Sequence, residues 1–382
     1  MTERDLSRWR LIDDFKQRHA QSAASGPGSG TWSDPQRRLQ AADYLSLFLF
    51  GLLNPVVRTM RGLCAASRLQ RVQAEVCTRP VSLGSFSEAQ AVLDPALLGE
   101  VFRQLSQEIP ADPGPRGPAG RRWLIQDSSL FAALPRMYWA LWRRQGQTQA
   151  QVRLHLSLDV AQNAPARAVI TPGRVCERAA WRTQWQRGDG FVGDRYYGED
   201  YQLFGDLEDA GVAFVVRLRE EAVIQVEEEL PLNEADRAAK VIRSAWVRLG
   251  CKARYHSIRL RVVWVQTDKE VLRLVTNLTP AELSAGEVAL LYKQRWQIEM
   301  FFRWVKCILG CRHWLAESPQ GVAIQLYLAL IAALLLQLYT GRAPTRRMME
   351  LIQFYLLGVA SLEELWAGVE RAQAQEARRK KS

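Results

Sequence analysis

The feature that most constrains the fold is a change of apolar period at Gly120. Before it, AADYLSLFLFGLLNPVVRTMRGL and PALLGEVFRQLSQ carry apolar residues at helical spacing. After it, apolar residues come in short runs: RRWLIQD, VRLHLSLDV, ARAVIT, GFVGD and AFVVRLR. Runs of this length, with alternation in VRLHLSLDV, read as strands. Between about 221 and 278, AVIQVEEELPL, KVIRSAWVRLG, YHSIRLRVVWVQ and VLRLVTNL combine Val, Ile and alternating charge, the pattern of a mostly antiparallel β unit. From Ser284 to the end the chain reads as helical, so the expected class is α/β with helices at both ends.

A chain of 382 residues exceeds what one core organises and implies two or three units. SAASGPGSG (22–30) and PADPGPRGPAG (110–120) are too rich in Gly and Pro for helix or strand. They predict a flexible segment 1–34, a helical unit 35–109, a linker 110–120, and a helical C-terminal region 346–382 with the basic tail Arg378-Arg379-Lys380-Lys381.

The formal charge of +11 favours a polyanionic partner through counterion release, with nucleic acid the leading candidate. Six cysteines without a CxxC pair exclude a zinc ribbon and a disulfide framework, and fit free thiols in a reducing cytoplasm. Cys307, Cys311 and His313 have metal-like spacing but no fourth ligand nearby, and helical packing accounts for them. MTERDLSRWRLIDDFKQRH has no apolar core and is not a secretory signal. Val322 to Tyr339 approaches spanning length, yet with Gln325 and Gln337 near its ends and no second span it reads as a buried core helix. The expected protein is cytoplasmic, with no membrane partner.

Ser284 followed by Glu287 is a capping box, and no Gly or Pro intervenes between Glu287 and Gly310, which predicts one helix of about 25 residues. Tyr292, Arg295, Glu299 and Lys306 lie on it at offsets of 0, 3, 7 and 14. At about 100° per residue these fall within an arc of roughly 60°. Alone, the stripe could be a solvated face with an Arg295–Glu299 ion pair. Trp296, Phe301, Phe302, Trp304 and Ile308 make most of the remaining surface apolar, so the helix is expected to be enclosed with one charged groove, the mark of a ligand.

Asp127 closes WLIQD and Asp194 closes GFVGD, each where an apolar run gives way to turn residues, and open α/β sheets carry their chemistry at strand ends. Each also has a plainer reading, Asp127 as a helix N-cap before SSLFAAL and Asp194 as a turn residue. Carboxylates are hard ligands for Mg²⁺ or Mn²⁺, and three of them can hold two ions about 4 Å apart for in-line displacement at a phosphodiester. One ion would activate water or a 3′-hydroxyl and the other would stabilise the leaving oxygen. Arg295 and Lys306 would grip phosphates, and Tyr292 a sugar or phosphate.

Tyr292-x2-Arg295-x3-Glu299-x6-Lys306 resembles the Tyr-Arg-Glu-Lys signature of insertion-sequence transposases of the insertion sequence four type. The resemblance spans about residues 35–345, with Asp127 as first acid and Asp194 as second. It implies an RNase H-like catalytic domain over 121–345, a β insertion at 220–275, and DNA binding by the helical unit 35–109. It further implies two Mg²⁺ ions, replaceable by Mn²⁺, held by Asp127, Asp194 and Glu299, and a homodimer on double-stranded DNA, both terminal inverted repeats and target. A tryptophan stacking on a flipped base is a further implication, for which Trp296, Trp246 and Trp264 are candidates. The family usually places glycine between the arginine and the aromatic after the second acid, whereas here Asp194-Arg195-Tyr196-Tyr197 stands, which leaves that turn open. Asp159, at the end of VRLHLSLDV, is the rival second acid on what resembles an inner structural strand. The expected activity is DDE transposition, cleaving element ends and joining their 3′-hydroxyls to target DNA. The alternatives are a catalytically silent DNA-binding protein and a nuclease that cuts without joining.

Overall fold

Amphipathic spacing in the first turns makes a helix where Gly and Pro further on had pointed to flexibility. Leu11, Ile12 and Phe15 are buried on α1 (Arg10–Ser25), so the segment expected to be flexible contains an ordered helix. The structure, a computed structural model, describes residues 10–25, 38–54, 56–110, 117–144, 146–181, 185–250, 259–311 and 313–381. The rest of segment 1–34 (1–9 and 26–34) and positions 111–116 of the expected linker lie outside the described residues. Then come α2 (Ala41–Leu53), short helices Met60–Ala66 and Gln70–Glu75, α3 (Leu83–Val92) and α4 (Ala96–Glu108).

The strands are β1 (Arg122–Ala132), β2 (Leu141–Arg144), β3 (Gln147–Asp159) and β4 (Ala164–Pro172), followed after the short helix α5 (Glu177–Trp181) by β5 (Asp189–Gly193) and β6 (Ala213–Arg217). β7 (Ile224–Glu229), β8 (Val241–Leu249), β9 (Leu260–Gln266) and β10 (Val271–Thr276) complete them. Helices Tyr201–Asp209 and Glu234–Ala238 lie between strands, and from Ala285 onward come α6 (Ala285–Lys293), α7 (Trp296–Cys307), α8 (Pro319–Thr340), α9 (Arg346–Leu356) and α10 (Leu362–Lys381).

Two compact units emerge. The first comprises Met1–Ile109, Phe131–Val152 and Phe302–Ser382. Its centre is α8, which starts at the Ser318 N-cap with Pro319 next and ends at Gly341, a left-handed C-cap with φ +70°. Almost the whole apolar length of α8 is buried, and it packs on α2, α3 and α4. The N-terminal helices therefore do not stand as a separate domain. A helix apolar all round must be covered on every side, and α2 to α4 do part of that covering.

The second unit, Pro110–Leu130 and Arg153–Phe301, is built on a sheet of order β3-β1-β5-β6-β10-β9-β8-β7, with β4 also paired to β3. β1, β5 and β6 are parallel neighbours, while β6 to β10 and onward run antiparallel. The antiparallel stretch expected at 220–275 thus extends the same sheet through the β6–β10 pair. Its apolar face gathers Trp181, Phe191, Tyr197, Phe204, Phe214 and Val262.

His155 on β3 is fully buried, its Nε2 2.9 Å from Thr171 Oγ1, and burial lowers its pKa to about 4. In the unfolded chain the ring titrates near 6.5, so between those values the unfolded state binds the extra proton. Its contribution is fully present above about pH 6.5 and is lost as pH falls, by about 2 kcal/mol at pH 5. Urea unfolding at pH 7, 6 and 5 should show falling midpoints, with a shallower fall in His155→Asn; equal slopes for both proteins would refute this.

Candidate active site

The register of the parallel pair sets the two aspartates side by side. Ile125 is opposite Val192, and Asp127 and Asp194 each stand two residues further along their chains. Asp127 does not end its strand as expected: β1 continues through Ser128, Ser129 and Leu130 to Ala132, so the N-cap reading fails as well. Asp194 does follow the last residue of β5. It also behaves as a turn residue, its Oδ1 accepting the Tyr196 N–H at 2.9 Å and its carbonyl the Tyr197 N–H at 3.2 Å.

The single long helix expected from Ser284 is two helices. Both arms of the capping box form, Ser284 N–H to Glu287 at 2.8 Å and Glu287 N–H to Ser284 Oγ at 3.2 Å. The helix then breaks at Gln294–Arg295, where Gln294, Arg295, Gln297 and Ile298 donate three residues back, to Leu291, Tyr292, Gln294 and Arg295. This tighter winding is of 3₁₀ type, so a uniform 100° step no longer carries from Tyr292 to Glu299.

Arg295, in the break, joins the pieces. Its Nη2 donates to Glu299 Oε1 at 2.5 Å, its Nη1 lies 3.9 Å from Asp127 Oδ2, and its guanidinium stands 5.9 Å from the centre of the buried Tyr292 ring. The i,i+4 ion pair weighed from the sequence is therefore present, and it reaches across to the first acid. Lys306, two turns after Glu299 on α7, places its Nζ 4.9 Å from the Phe131 ring centre. Phe301, Phe302 and Trp304 are buried as expected, but Trp296 is 59% exposed.

Of the other tryptophans, Trp246 lies under Arg259 and Trp264 under Arg243, at 5.0 and 4.6 Å. Those arginines pair with Glu227, Glu228 and Glu229. Both rings are covered by neutralised cations, whereas Trp296 keeps an open face. Asp159 is engaged otherwise: Arg122 contacts it at 2.6 Å, and it accepts the N–H groups of Ala161 and Gln162 at the β3–β4 turn.

A fourth carboxylate joins the cluster, and the sequence reading missed it. Glu177 is buried on α5, with hydroxyls of Ser128 and Tyr197 each donating to it at 2.7 Å. Burial, then the charges of Glu177 and Asp194, push the Asp127 pKa up to about 7, against the Ser128 N–H and Arg295, which lower it. Only the position of Glu177 in a short run before a buried tryptophan could have flagged it.

Cys311 is buried and Cys307 exposed, both as free thiols. Among the described residues no group of three His, Cys, Asp or Glu side chains is disposed to hold an ion.

Residues 118–335, more than half of the chain, match the family described as Transposase DDE domain. The chain belongs to this family. Among relatives of this DDE transposase domain protein, one named as a transposase, y4zB of Sinorhizobium fredii, is 29% identical over 293 residues, 75% of this chain and 79% of its own. Another, named for insertion sequence element IS5377 of Geobacillus stearothermophilus, is 28% identical over 216 residues, 56% of this chain and 55% of its own. A cryo-EM structure of the piggyBac transposase synaptic complex with hairpin DNA aligns over 91% of this chain and 82% of its own, at TM-score 0.38 and 11% identity. At that distance it says nothing of individual residues.

DDE transposase domains generally use divalent metal ions. The donor chemistry here fits such an ion: carboxylate oxygens are hard ligands, and a divalent cation would offset both the burial and the neighbouring negative charges that raise the Asp127 pKa. Glu299 is bonded to Arg295 in this arrangement rather than turned to the aspartates.

Proposed function

We propose that this protein is a DNA transposase that cleaves the ends of an insertion sequence and joins the freed 3′-hydroxyls to target DNA. The observation that carries the reading is Arg295, whose guanidinium lies between Asp127 of β1 and Glu299 of α7. It draws the signature helix toward the strand of the first acid, which stands level with Asp194. The β3-β1-β5-β6 order with parallel β1, β5 and β6 supports an RNase H-like catalytic domain.

Asp127, Asp194 and Glu299 would hold the divalent ions, Mg²⁺ or Mn²⁺, two per site. These supply activation of a water or 3′-hydroxyl and stabilisation of the leaving oxygen. The protein's own part is placement. Arg295, raised in pKa by Tyr292, Glu299 and Asp127 against its burial, stays cationic and offers its fork to a phosphate when DNA enters. Tyr292 packs beneath that fork. Lys306 contacts the backbone, and the open ring of Trp296 offers a face to a base. The partner is double-stranded DNA, inverted-repeat ends and target, engaged by a homodimer in the cytoplasm.

The test is incubation with DNA carrying the sequences that flank the gene, in Mg²⁺, Mn²⁺ or EDTA. Metal-dependent cutting and joining is expected. Cutting without joining would mean a nuclease, and binding in EDTA with no cutting in Mn²⁺ would mean a silent DNA-binding protein. In the same system Lys306→Ala should weaken end binding and reduce the slope of log affinity against log salt by about 1; an unchanged slope removes Lys306 from the phosphate contacts.

A further inference from the structure

Glu177 is a buried carboxylate beside the acids to which the transposition reading gives no part, and its bonds connect the strand that carries Asp127 to the turn that carries Asp194. Its Oε2 accepts from Ser128 Oγ and its Oε1 from Tyr197 Oη, both at 2.7 Å. Ser128 follows Asp127 directly and gives its backbone N–H to Asp127 Oδ1 at 2.7 Å. Tyr197 gives its backbone N–H to the Asp194 carbonyl at 3.2 Å. One carboxylate thus ties the residue after the first acid to the residue three beyond the second.

Arg153 Nη1 lies 2.9 Å from Ser128 Oγ and can only donate, which leaves the Ser128 hydroxyl hydrogen for the ionised Glu177 carboxylate. Tyr197 is wholly buried, its ring edge-on to Phe191 with centres 5.0 Å apart, so its hydroxyl cannot turn to water. The helix that bears Glu177 is anchored by fully buried Trp181. With each oxygen already accepting a hydroxyl, Glu177 acts through its neighbours.

We propose that Glu177 is a positioning residue, a buried clamp that sets Asp127 and Asp194 relative to each other and thereby their affinity for a divalent cation. The inference rests on the reading that those two acids hold the ion. Outer partners that orient ligating groups change metal affinity about 10- to 100-fold when removed.

The experiment is Mn²⁺ binding to the full chain, measured by calorimetry and by the EPR signal of free Mn²⁺, with thermal unfolding of each variant alongside. Wild type should bind, and Asp127→Asn with Asp194→Asn should not. Glu177→Gln, nearly equal in shape, should bind about 10-fold or more weakly. Tyr197→Phe keeps the charge and cuts one arm of the clamp, and Ser128→Ala cuts the other; both should also weaken binding several-fold, which loss of charge alone would not produce. Wild-type Mn²⁺ affinity in Tyr197→Phe and Ser128→Ala overturns the clamp, as does a lowered unfolding temperature in Glu177→Gln with unchanged affinity. Failure of wild type itself to bind Mn²⁺ overturns the metal reading and the clamp with it, so the two failures are told apart.

Discussion

Glu299→Gln is expected to lower DNA cleavage about a thousandfold or more while leaving end binding in EDTA intact. Stabilising transition-state charge through metal coordination is worth several kcal/mol, and each 1.36 kcal/mol is tenfold in rate. The substitution is nearly isosteric, and it leaves Arg295 beside Asp127 with a neutral amide oxygen in place of the carboxylate that now holds it at 2.5 Å. The arginine is then freer to take a phosphate, so binding should hold or tighten. The same loss is expected for Asp127→Asn and Asp194→Asn, measured as single-turnover cleavage in Mg²⁺ and Mn²⁺. Cleavage at the wild-type rate in all three would defeat the assignment of these acids.

Gly198→Ala should destabilise the protein by about 3 kcal/mol, at the upper end of what overpacking usually costs. An added Cβ would lie 2.1 Å from the Arg217 carbonyl oxygen and 3.1 Å from Leu218 Cα, both backbone atoms, so no side chain can swing aside. Arg217 ends β6, and Gly198 sits in the 3₁₀ turn after Asp194. Relieving the clash must move one of them. The turn is the softer of the two, and Tyr197 with its bond to Glu177 would move with it. Cleavage should therefore fall together with stability. The glycine missing from the usual place after the second acid is thus met two residues later, where the chain passes close to the Arg217 carbonyl at the end of β6. Urea unfolding checks the first part, and an unchanged midpoint would show that the backbone yields without cost.

Local chemistry made several elements legible. A capping box needs only Ser284 and Glu287, and both its bonds form. The apolar run Val322 to Tyr339 likewise marked the buried helix α8, whose caps at Ser318 and Gly341 the structure adds. Short runs of β-branched residues gave strands because alternation along an extended chain is a property of the chain itself. The spacing of Tyr292, Arg295, Glu299 and Lys306 was visible for the same reason, though the arc drawn through it was not: four three-back hydrogen bonds at Gln294–Arg295 break the helix with no Gly or Pro to announce them.

The sequence by itself determined the α/β class, the helix start at Ser284, the strands and the aspartates placed in or after them, because capping and periodicity act between residues a few positions apart. Only the tertiary structure decided that β1 runs past Asp127, that α8 completes the core of the N-terminal helices, that Trp296 stays open while Trp246 and Trp264 are covered, and that Glu177 joins the acids. Those outcomes depend on which distant side chain covers an apolar surface or bonds a buried carboxylate, and such partners are chosen across the fold rather than along the chain.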